Sequence, residues 1–216
     1  IIGGGLAGSE AAYYLAKKGY DIELYDIKPK AFTPAHKSPL YGELVCSNSL
    51  KSNDVYANAC GLLKEEMRIL GSMVIDCADK TSVPAGAALA VDRDKFAEAI
   101  TEKLKECDNI KFICEDVKSF DLSENVIVAT GPLTTGGLCG FIGKITGNGY
   151  YFYDAAAPII AGDSIDMNEA FVADRYGEAG VGDYINCPID KEGYLAFYKE
   201  LITAKRAELH DFEDVK

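Results

Sequence analysis

The chain has 216 residues, a formal net charge of −12, 48% hydrophobic residues and 26% charged residues. This is the composition of a soluble globular protein long enough for one domain and part of a second. The acidic balance argues against nonspecific binding of nucleic acid, and no apolar run approaches the roughly 20 residues of a membrane span.

The number and spacing of the cysteines indicate the redox compartment. Seven cysteines lie scattered without CxxC spacing, and the chain has two histidines. An odd, unclustered set argues against a disulfide framework and against a zinc site, so we expect a reducing, cytoplasmic setting and no metal. The chain opens without Met in an apparent strand and stops in a charged, apparently helical stretch. We therefore expect it to be a fragment.

The first 26 residues, "IIGGGLAGSEAAYYLAKKGYDIELYD", read as a strand, a glycine-rich turn, a helix ended by Gly19, and a second strand ending at Asp26. The turn has G-x-G-x-x-G spacing at Gly3, Gly5 and Gly8. In such a turn the first glycine permits tight bending, the second lets the backbone approach a pyrophosphate, and the third lets helix and strand pack closely.

This context predicts a dinucleotide site rather than an ordinary tight turn. The phosphates would lie at the helix N-terminus, where free N–H groups and the helix dipole favour anions. A carboxylate at the end of the second strand suits ribose hydroxyls. The predicted cofactor-binding residues here are Gly3, Gly4, Gly5, Leu6, Ala7, Gly8 and Asp26.

Residues 27–53 read as a long loop punctuated by Pro29, Pro34 and Pro39, and long loops in compact domains are usually functional or disordered. Within it, "ELVCSNSLKS" places Cys46 among small polar residues. Four lysines against one glutamate give this window a charge of about +3. The loop is therefore either a solvated surface, with Cys46 a small buried hydrophobe, or a site whose lysines lower the pKa of a reactive thiol.

Further elements follow in chain order. A helix is predicted from Asn53 or Asp54 to Gly71. A strand in "GAALAV" then precedes a helix capped by Asp92. Strands are predicted in "IKFICEDV" and "NVIVATGP". The expected apolar faces of the two helices are Leu62, Leu63, Met67 and Leu70 on the first, and Phe96, Ala97, Ile100 and Leu104 on the second.

Two of these segments favour FAD as the dinucleotide. The turn Ala129-Thr130-Gly131 resembles the returning strand end of two-dinucleotide-type flavoproteins, where it approaches FAD. The strand before it resembles the one whose backbone meets the adenine, near Val117. An ordinary strand-end turn is the alternative for the first segment.

The character of the chain changes at Tyr150. Strands are predicted in "YYFYDAAAPII" and "DYINCPID", and a helix in "KEGYLAFYKELITAKRAEL". We therefore predict an α/β fold in which residues 1–149 form the N-terminal part of a Rossmann-like FAD-binding domain. Residues 150–216 would form strands and a helix of another unit.

Together, "GGGLAGSEAAYYLAKKG", "ELVCSNSLKSN", "VPAGAALAVDRDKFAEAI", "VIVATGPLT", "YFYDAAAPII" and "YINCP" closely resemble one family. It is the folate- and FAD-dependent tRNA uracil-5-methyltransferases, which make the T-loop ribothymidine in many bacteria. The resemblance covers essentially the whole chain in order, and "ELVCSNSL" is far more specific than the glycine motif. It also implies that residues 150–216 begin an α+β substrate domain, inserted into the flavin domain, that binds tRNA.

The resemblance implies a chemistry for the thiol. Uracil C5 is a poor nucleophile, and a thiolate adding to C6 makes C5 an enolate carbon that attacks a one-carbon donor. Methylenetetrahydrofolate supplies a methylene, which reduced FAD converts to methyl, and NAD(P)H recharges the flavin. By resemblance, Cys46 assists at C5 or in proton handling. The cysteine that attacks C6 lies beyond this chain, so the chain alone is expected to be inactive.

Three alternatives remain open from the sequence. One is the related FAD enzyme family that modifies the tRNA wobble uridine, from which "ELVCSNSL" points away. Another is a flavin oxidoreductase that acts on a small molecule without nucleic acid. The last is a binding-only remnant without catalytic activity.

Overall fold

The computed structural model describes residues 1–45, 47–147, 160–174 and 182–205. The chain divides into two compact units. The first comprises Ile1–Val83 and Ala87–Tyr150, and the second comprises Pro84–Gly86 and Tyr151–Lys216. The candidate site lies in the first unit.

The elements of the first unit follow one another in mixed α/β order. They are α1 (Leu6–Lys17), β1 (Ile22–Asp26), β2 (Ser49–Ser52), α2 (Ala59–Ile69), α3 (Met73–Lys80), β3 (Ser82–Val83), β4 (Ala88–Val91), α4 (Arg93–Lys105), β5 (Ile110–Cys114) and α5 (Gly136–Thr146). The second unit contains a 3₁₀ turn (Gly162–Ser164), β6 (Phe171–Val172), β7 (Ile185–Asn186) and α6 (Lys191–Thr203).

A parallel sheet positions the site. Strand β1 pairs in parallel with β5, with Ile22 opposite Ile110. Ile2 forms parallel bridges to Tyr25 on one side and to Val128 on the other. The order across the sheet is therefore β5, β1, the segment at Ile2 and the segment at Val128, which is the 3-2-1-4 order of a Rossmann-type sheet. A separate antiparallel sheet has the order β2-β4-β3.

Helices α1, α3 and α4 pack with these strands around one core. Leu24 of β1 and Phe96, Ile100 and Leu104 of α4 are fully buried. Ala12 of α1 is also fully buried, and such a small side chain lets the helix lie close to the sheet. The amphipathic pattern predicted for α4 is thus confirmed, as is its cap: Asp92 Oδ1 accepts a hydrogen bond from Lys95 N at 3.2 Å.

The predicted start of α2 was wrong. The helix begins at Ala59, and Asn58 caps it by accepting a hydrogen bond from Cys60 N at 2.9 Å. Asp54 instead closes a turn, accepting hydrogen bonds from the amides of Tyr56 and Ala57. Asn and Asp suit both roles, so the residue types alone did not separate them.

The predicted apolar face of α2 was also wrong. Leu62, Leu63 and Leu70 are exposed, whereas Gly61 and Lys64 are buried. The buried Lys64 ammonium donates to the carbonyl oxygens of Ser52 and Cys60 at 2.8 and 3.0 Å. Those two bonds satisfy a cation on the face that the hydrophobic pattern did not select.

Three further differences concern short or irregular segments. The expected 27–53 loop contains β2, which pairs with β4 through a register shift between Ser49 and Ser52. The expected strand "NVIVATGP" is reduced to the single bridge at Val128. Helices α3 and α5 were not predicted. The strand expected in "YYFYDAAAPII" falls almost wholly on residues 150–159, which lie outside the described part of the chain.

The second unit contains the predicted helix α6, capped by Asp190, and part of "DYINCPID" as β7. Every described side chain of α6 is exposed. Among the described helices of the whole chain, none is both long and apolar enough to cross a membrane.

Candidate functional site

A cleft of about 300 Å³ lies in the first unit, at the carboxyl ends of the parallel strands. Its walls are the glycine-rich turn, the end of β1, the residues after β5 and the segment 129–135. Ligands of open α/β sheets bind at this edge. The sequence-predicted residues that line it are Gly3, Gly4, Gly5, Leu6, Ala7, Asp26, Val117, Ala129, Thr130 and Gly131.

The three motif glycines meet different surroundings. Gly3 has φ +103°, and a Cβ there would lie 2.6 Å from the carbonyl oxygen of Ala129. A Cβ at Gly8 would overlap the carbonyl oxygen of Gly3, so Gly8 is buried beneath the turn rather than lining the cleft. A Cβ at Gly5 would meet no protein atom within 4 Å. These surroundings match the bending, packing and ligand-approach roles of such a motif.

The N-terminus of α1 opens directly from this turn. Gly5 is its N-cap, no side chain caps the helix, and no acidic residue stands in its first turn. A helix N-terminus in this state offers backbone N–H groups and the positive end of the dipole to an anion.

Asp26 ties the turn to the sheet. Its Oδ2 accepts a hydrogen bond from Gly4 N at 2.7 Å, and its Oδ1 accepts one from Lys28 N at 2.9 Å. Each carboxylate oxygen can accept a further bond. The side chain is half-buried at the cleft wall, so its remaining lone pairs are available to ribose hydroxyls.

The positive charge predicted for residues 27–53 is partly neutralised. Lys28 is buried, and its ammonium lies 3.9 Å from Glu43 Oε2 and donates to the carbonyl oxygen of Leu40. Burial lowers the pKa of Lys28, against the raising effect of Asp26 and Glu43. Lys37 and Lys51 are exposed. Cys46 itself lies outside the described residues, whereas its neighbour Val45 lines the cleft.

Sequence reasoning missed the packing of Tyr41. A Cβ at Gly4 would overlap the Tyr41 ring, which also packs on Phe112 with ring centroids 5.3 Å apart. Burial, with the nearby charges of Asp26 and Cys114, raises the pKa of Tyr41 to about 12. An isolated aromatic residue in a proline-rich loop carries no periodic signal, so this role was not predictable from the pattern of residues.

His36 is a further residue of the 27–53 loop at this cleft. It lines the cleft, and its Nδ1 lies 2.5 Å from Thr33 Oγ1. Burial, followed by the positive charge of Lys28, lowers the pKa of His36. The ring is therefore biased towards its neutral form, in which it can both donate and accept a hydrogen bond.

The opposite wall is built by the turn after Val128. Ala129 N donates to Ile2 O at 2.7 Å. Gly131 has φ +67°. Thr130 Oγ1 lies 2.6 Å from Thr134 Oγ1, which donates to Gly131 O at 2.8 Å. These contacts hold the Ala129-Thr130-Gly131 backbone against the glycine-rich turn.

These features fit a dinucleotide. The open Gly5 position and uncapped helix suit a diphosphate, and Asp26 suits a ribose. Within the described ranges, no group of three or more His, Cys, Asp or Glu side chains could hold a metal ion.

The strand order and the glycine-rich turn define the first unit as a Rossmann-type domain. A family model for glucose inhibited division protein A matches residues 1–216. The chain belongs to that family.

Relatives share a more specific name. Proteins named methylenetetrahydrofolate--tRNA-(uracil-5-)-methyltransferase TrmFO are 56% identical in Fusobacterium nucleatum, 53% in Acetivibrio thermocellus and 54% in Thermosipho melanesiensis. The matches cover 100%, 99% and 99% of this chain, and 50%, 49% and 50% of the relatives. The chain therefore spans about half the length of the curated relatives it matches.

Proposed function

We propose that the natural full-length chain containing these residues methylates C5 of a T-loop uridine in tRNA, in the cytoplasm. Methylenetetrahydrofolate would supply the one-carbon unit, FAD would bind in the cleft, and NAD(P)H would supply electrons. The observation that carries this proposal is the name shared by relatives at 53–56% identity, matched over 99–100% of this chain.

The residues divide into three binding roles. The backbone from Gly3 to Gly8 would receive the FAD diphosphate at the N-terminus of α1. Asp26 would accept hydrogen bonds from the adenosine ribose, and Val117 would lie beside the adenine. Ala129, Thr130 and Gly131 would form the wall that approaches the flavin. Bound FAD, once reduced, supplies the hydride that turns a methylene into a methyl group.

Cys46 would act on the uracil. Its neighbour Val45 lines the cleft, which supports this role beside the proposed cofactor site. In this role the Cys46 thiol assists at C5 of the target base, where a proton must leave during methylation. Residues 150–216 would begin the domain that receives the tRNA.

The test is transfer of label from methylenetetrahydrofolate carrying a ¹⁴C methylene. The full-length protein is incubated with FAD, NAD(P)H and unmodified tRNA, and the tRNA is digested to nucleosides. We expect label at C5 of the T-loop uridine. Label at the wobble uridine, or NAD(P)H oxidation that does not depend on tRNA, would favour the alternatives and contradict the proposal.

Two variants sharpen this test. Cys46→Ala should keep FAD bound while methyl incorporation falls by a factor of about 100 or more, as for loss of a proton-transfer group. Cys187→Ala is the matched control, because Cys187 is exposed and lies in the second unit. Near-normal turnover by Cys46→Ala would return that cysteine to a structural role.

A further inference from the structure

One carboxylate oxygen beside the cleft is buried without a hydrogen bond. The Glu43 side chain is 13% exposed, and its Oε2 is the buried side-chain atom without a hydrogen-bond partner in the part of the chain that the structure describes. Such an atom in a native structure calls for an explanation, because an unpaired buried oxygen is costly. Its nearest cation, the Lys28 ammonium, stands at 3.9 Å, too far for a hydrogen bond.

The other oxygen of Glu43 holds the neighbouring loop. Glu43 Oε1 accepts hydrogen bonds from Lys37 N at 2.9 Å and from Ser38 N at 3.2 Å. Gly42 N donates to Gly4 O at 2.9 Å. Segment 37–43 is thus fastened both to itself and to the glycine-rich turn, and it leads through Val45 into Cys46.

Lys28 connects this segment to the ribose carboxylate. Its side chain is 5% exposed. Its backbone N–H donates a hydrogen bond to Asp26 Oδ1 at 2.9 Å. Because Asp26 also accepts from Gly4 N, a continuous chain of contacts runs from the glycine-rich turn through Asp26 and Lys28 to Glu43. The Lys28 ammonium lies in the field of two carboxylates, Asp26 and Glu43.

We propose that Lys28 and Glu43 are positioning residues that couple cofactor binding at Asp26 to the placement of the segment leading into Cys46. When ribose hydroxyls donate to Asp26, they satisfy part of its negative charge. The Lys28 ammonium is then attracted relatively more by Glu43, and the loose 3.9 Å pair has room to tighten. This inference rests on the proposed function in one respect, namely that the ligand at Asp26 is FAD.

The experiment measures the reactivity of Cys46 rather than turnover. In the full-length protein, stripped of flavin and then reconstituted, iodoacetamide alkylation of each cysteine is followed by peptide mass spectrometry with and without saturating FAD. The exposed Cys187 is the internal reference. FAD should change the Cys46 alkylation rate by about fivefold or more, the lower range of measured couplings between sites, and leave the Cys187 rate unchanged.

Variants assign the effect to the pair. Lys28→Met and Glu43→Gln should still bind FAD, but FAD should then change the Cys46 rate by less than about twofold. The double variant should behave like either single variant, because coupled residues are not additive. Lys28→Arg, which keeps the charge, should retain the response. The matched controls Lys37→Met and Glu98→Gln, at exposed positions, should also retain it.

Two outcomes overturn the inference. One is an unsubstituted protein whose Cys46 rate ignores bound FAD. The other is a pair of variants that bind FAD and keep the full response. Label transfer to tRNA judges the proposed function separately, so a protein that methylates tRNA without this coupling refutes the inference alone. A protein that binds no FAD refutes both.

Discussion

Gly5 and Gly8 stand three residues apart, yet a side chain added at each would meet opposite surroundings. The position of a Gly5 Cβ is open, whereas a Gly8 Cβ would overlap the carbonyl oxygen of Gly3. Gly5 therefore leaves room for a ligand, and Gly8 leaves room for the protein's own backbone. The same residue type leaves open space in one case and allows close packing in the other.

This contrast gives a paired prediction. Gly5→Val should keep the fold and lose FAD, because its side chain occupies the space of the diphosphate. Gly8→Val should lower the unfolding temperature, since overpacking typically costs about 1–3 kcal/mol. Flavin absorbance and circular dichroism of the purified full-length variants check both, with Gly140→Val, at an open position on α5, as control. A Gly5→Val protein that retains stoichiometric yellow flavin would show that this turn does not hold the diphosphate.

The raised pKa of the single residue Tyr41 predicts that folding stability depends on pH. Its folded-state pKa of about 12 exceeds the ordinary value of 10.0, chiefly because of burial. The folded protein therefore holds the phenolic proton more tightly than the unfolded chain does. The resulting stability is fully present below pH 10 and is lost as the pH rises towards 12.

The measurement is the unfolding midpoint between pH 9 and pH 12 for the full-length protein and for Tyr41→Phe. The unsubstituted protein should lose stability more steeply than Tyr41→Phe over this range, because the variant lacks the titrating group. All other titrating groups are common to both proteins and cancel in the difference. Parallel curves would mean that the phenol is not held neutral by its surroundings.

Among the elements, α3 depends on a residue from another helix. Glu10 of α1 accepts hydrogen bonds from Ser72 Oγ at 2.8 Å, Met73 N at 3.1 Å and Val74 N at 2.8 Å. A carboxylate at a helix N-terminus accepts hydrogen bonds from free N–H groups and interacts favourably with the positive end of the helix dipole. A helix of eight residues has little stability of its own, so this contact from α1 helps to fix it.

Glu10→Gln should therefore destabilise the first unit by about 1.5–3 kcal/mol, the range for hydrogen bonds to charged groups. Amide hydrogen exchange at Met73 and Val74 should accelerate, and the unfolding midpoint should fall. Glu98→Gln, on the exposed face of α4, is the matched control and should change neither. Unchanged exchange at those two amides in Glu10→Gln would remove the assigned capping role.

The difference between local signals and contacts from distant residues explains which elements could be predicted from the sequence. Helices α1 and α4 have local signals, namely a glycine-rich turn and an Asp92 cap with four buried apolar residues at helical spacing. Helix α3 is set by Glu10, 62 to 64 residues away. Strand β2 is set by β4 and contains Lys51 at φ +67°. Such tertiary determinants leave no periodic pattern in the sequence.

The candidate site divides in the same way. The diphosphate turn, Asp26 and the Ala129-Thr130-Gly131 turn were predicted as separate motifs, and the structure brings all of them to one cleft. Lys28, Glu43 and Tyr41 were not predicted as part of it, because the net charge of the loop does not show which of its residues are buried or paired. Burial and pairing within an irregular loop depend on tertiary packing, which single residues do not encode.

At the scale of the whole molecule, apolar side chains remain on the surface of both units. Leu62, Leu63, Ile69 and Leu70 are exposed on α2, and Ile69 and Leu70 are each 79% exposed. Helix α6 exposes another group, formed by Tyr194, Leu195, Phe197, Tyr198, Leu201 and Ile202. Large exposed apolar patches in soluble proteins often mark surfaces that contact other chain segments or partners. The relatives are about twice as long, which offers further chain to cover such surfaces.

We therefore expect residues 1–216, expressed alone, to bind FAD weakly or not at all and to transfer no one-carbon unit. Folded domains are stable by only about 5–15 kcal/mol, and uncovered apolar surface removes part of that margin. Fluorescence titration of FAD compares the isolated segment with the full-length protein, and the labelled methylene assay follows transfer to tRNA. Label at uracil C5 at a catalytic rate from residues 1–216 alone would show that the cysteines within this segment suffice.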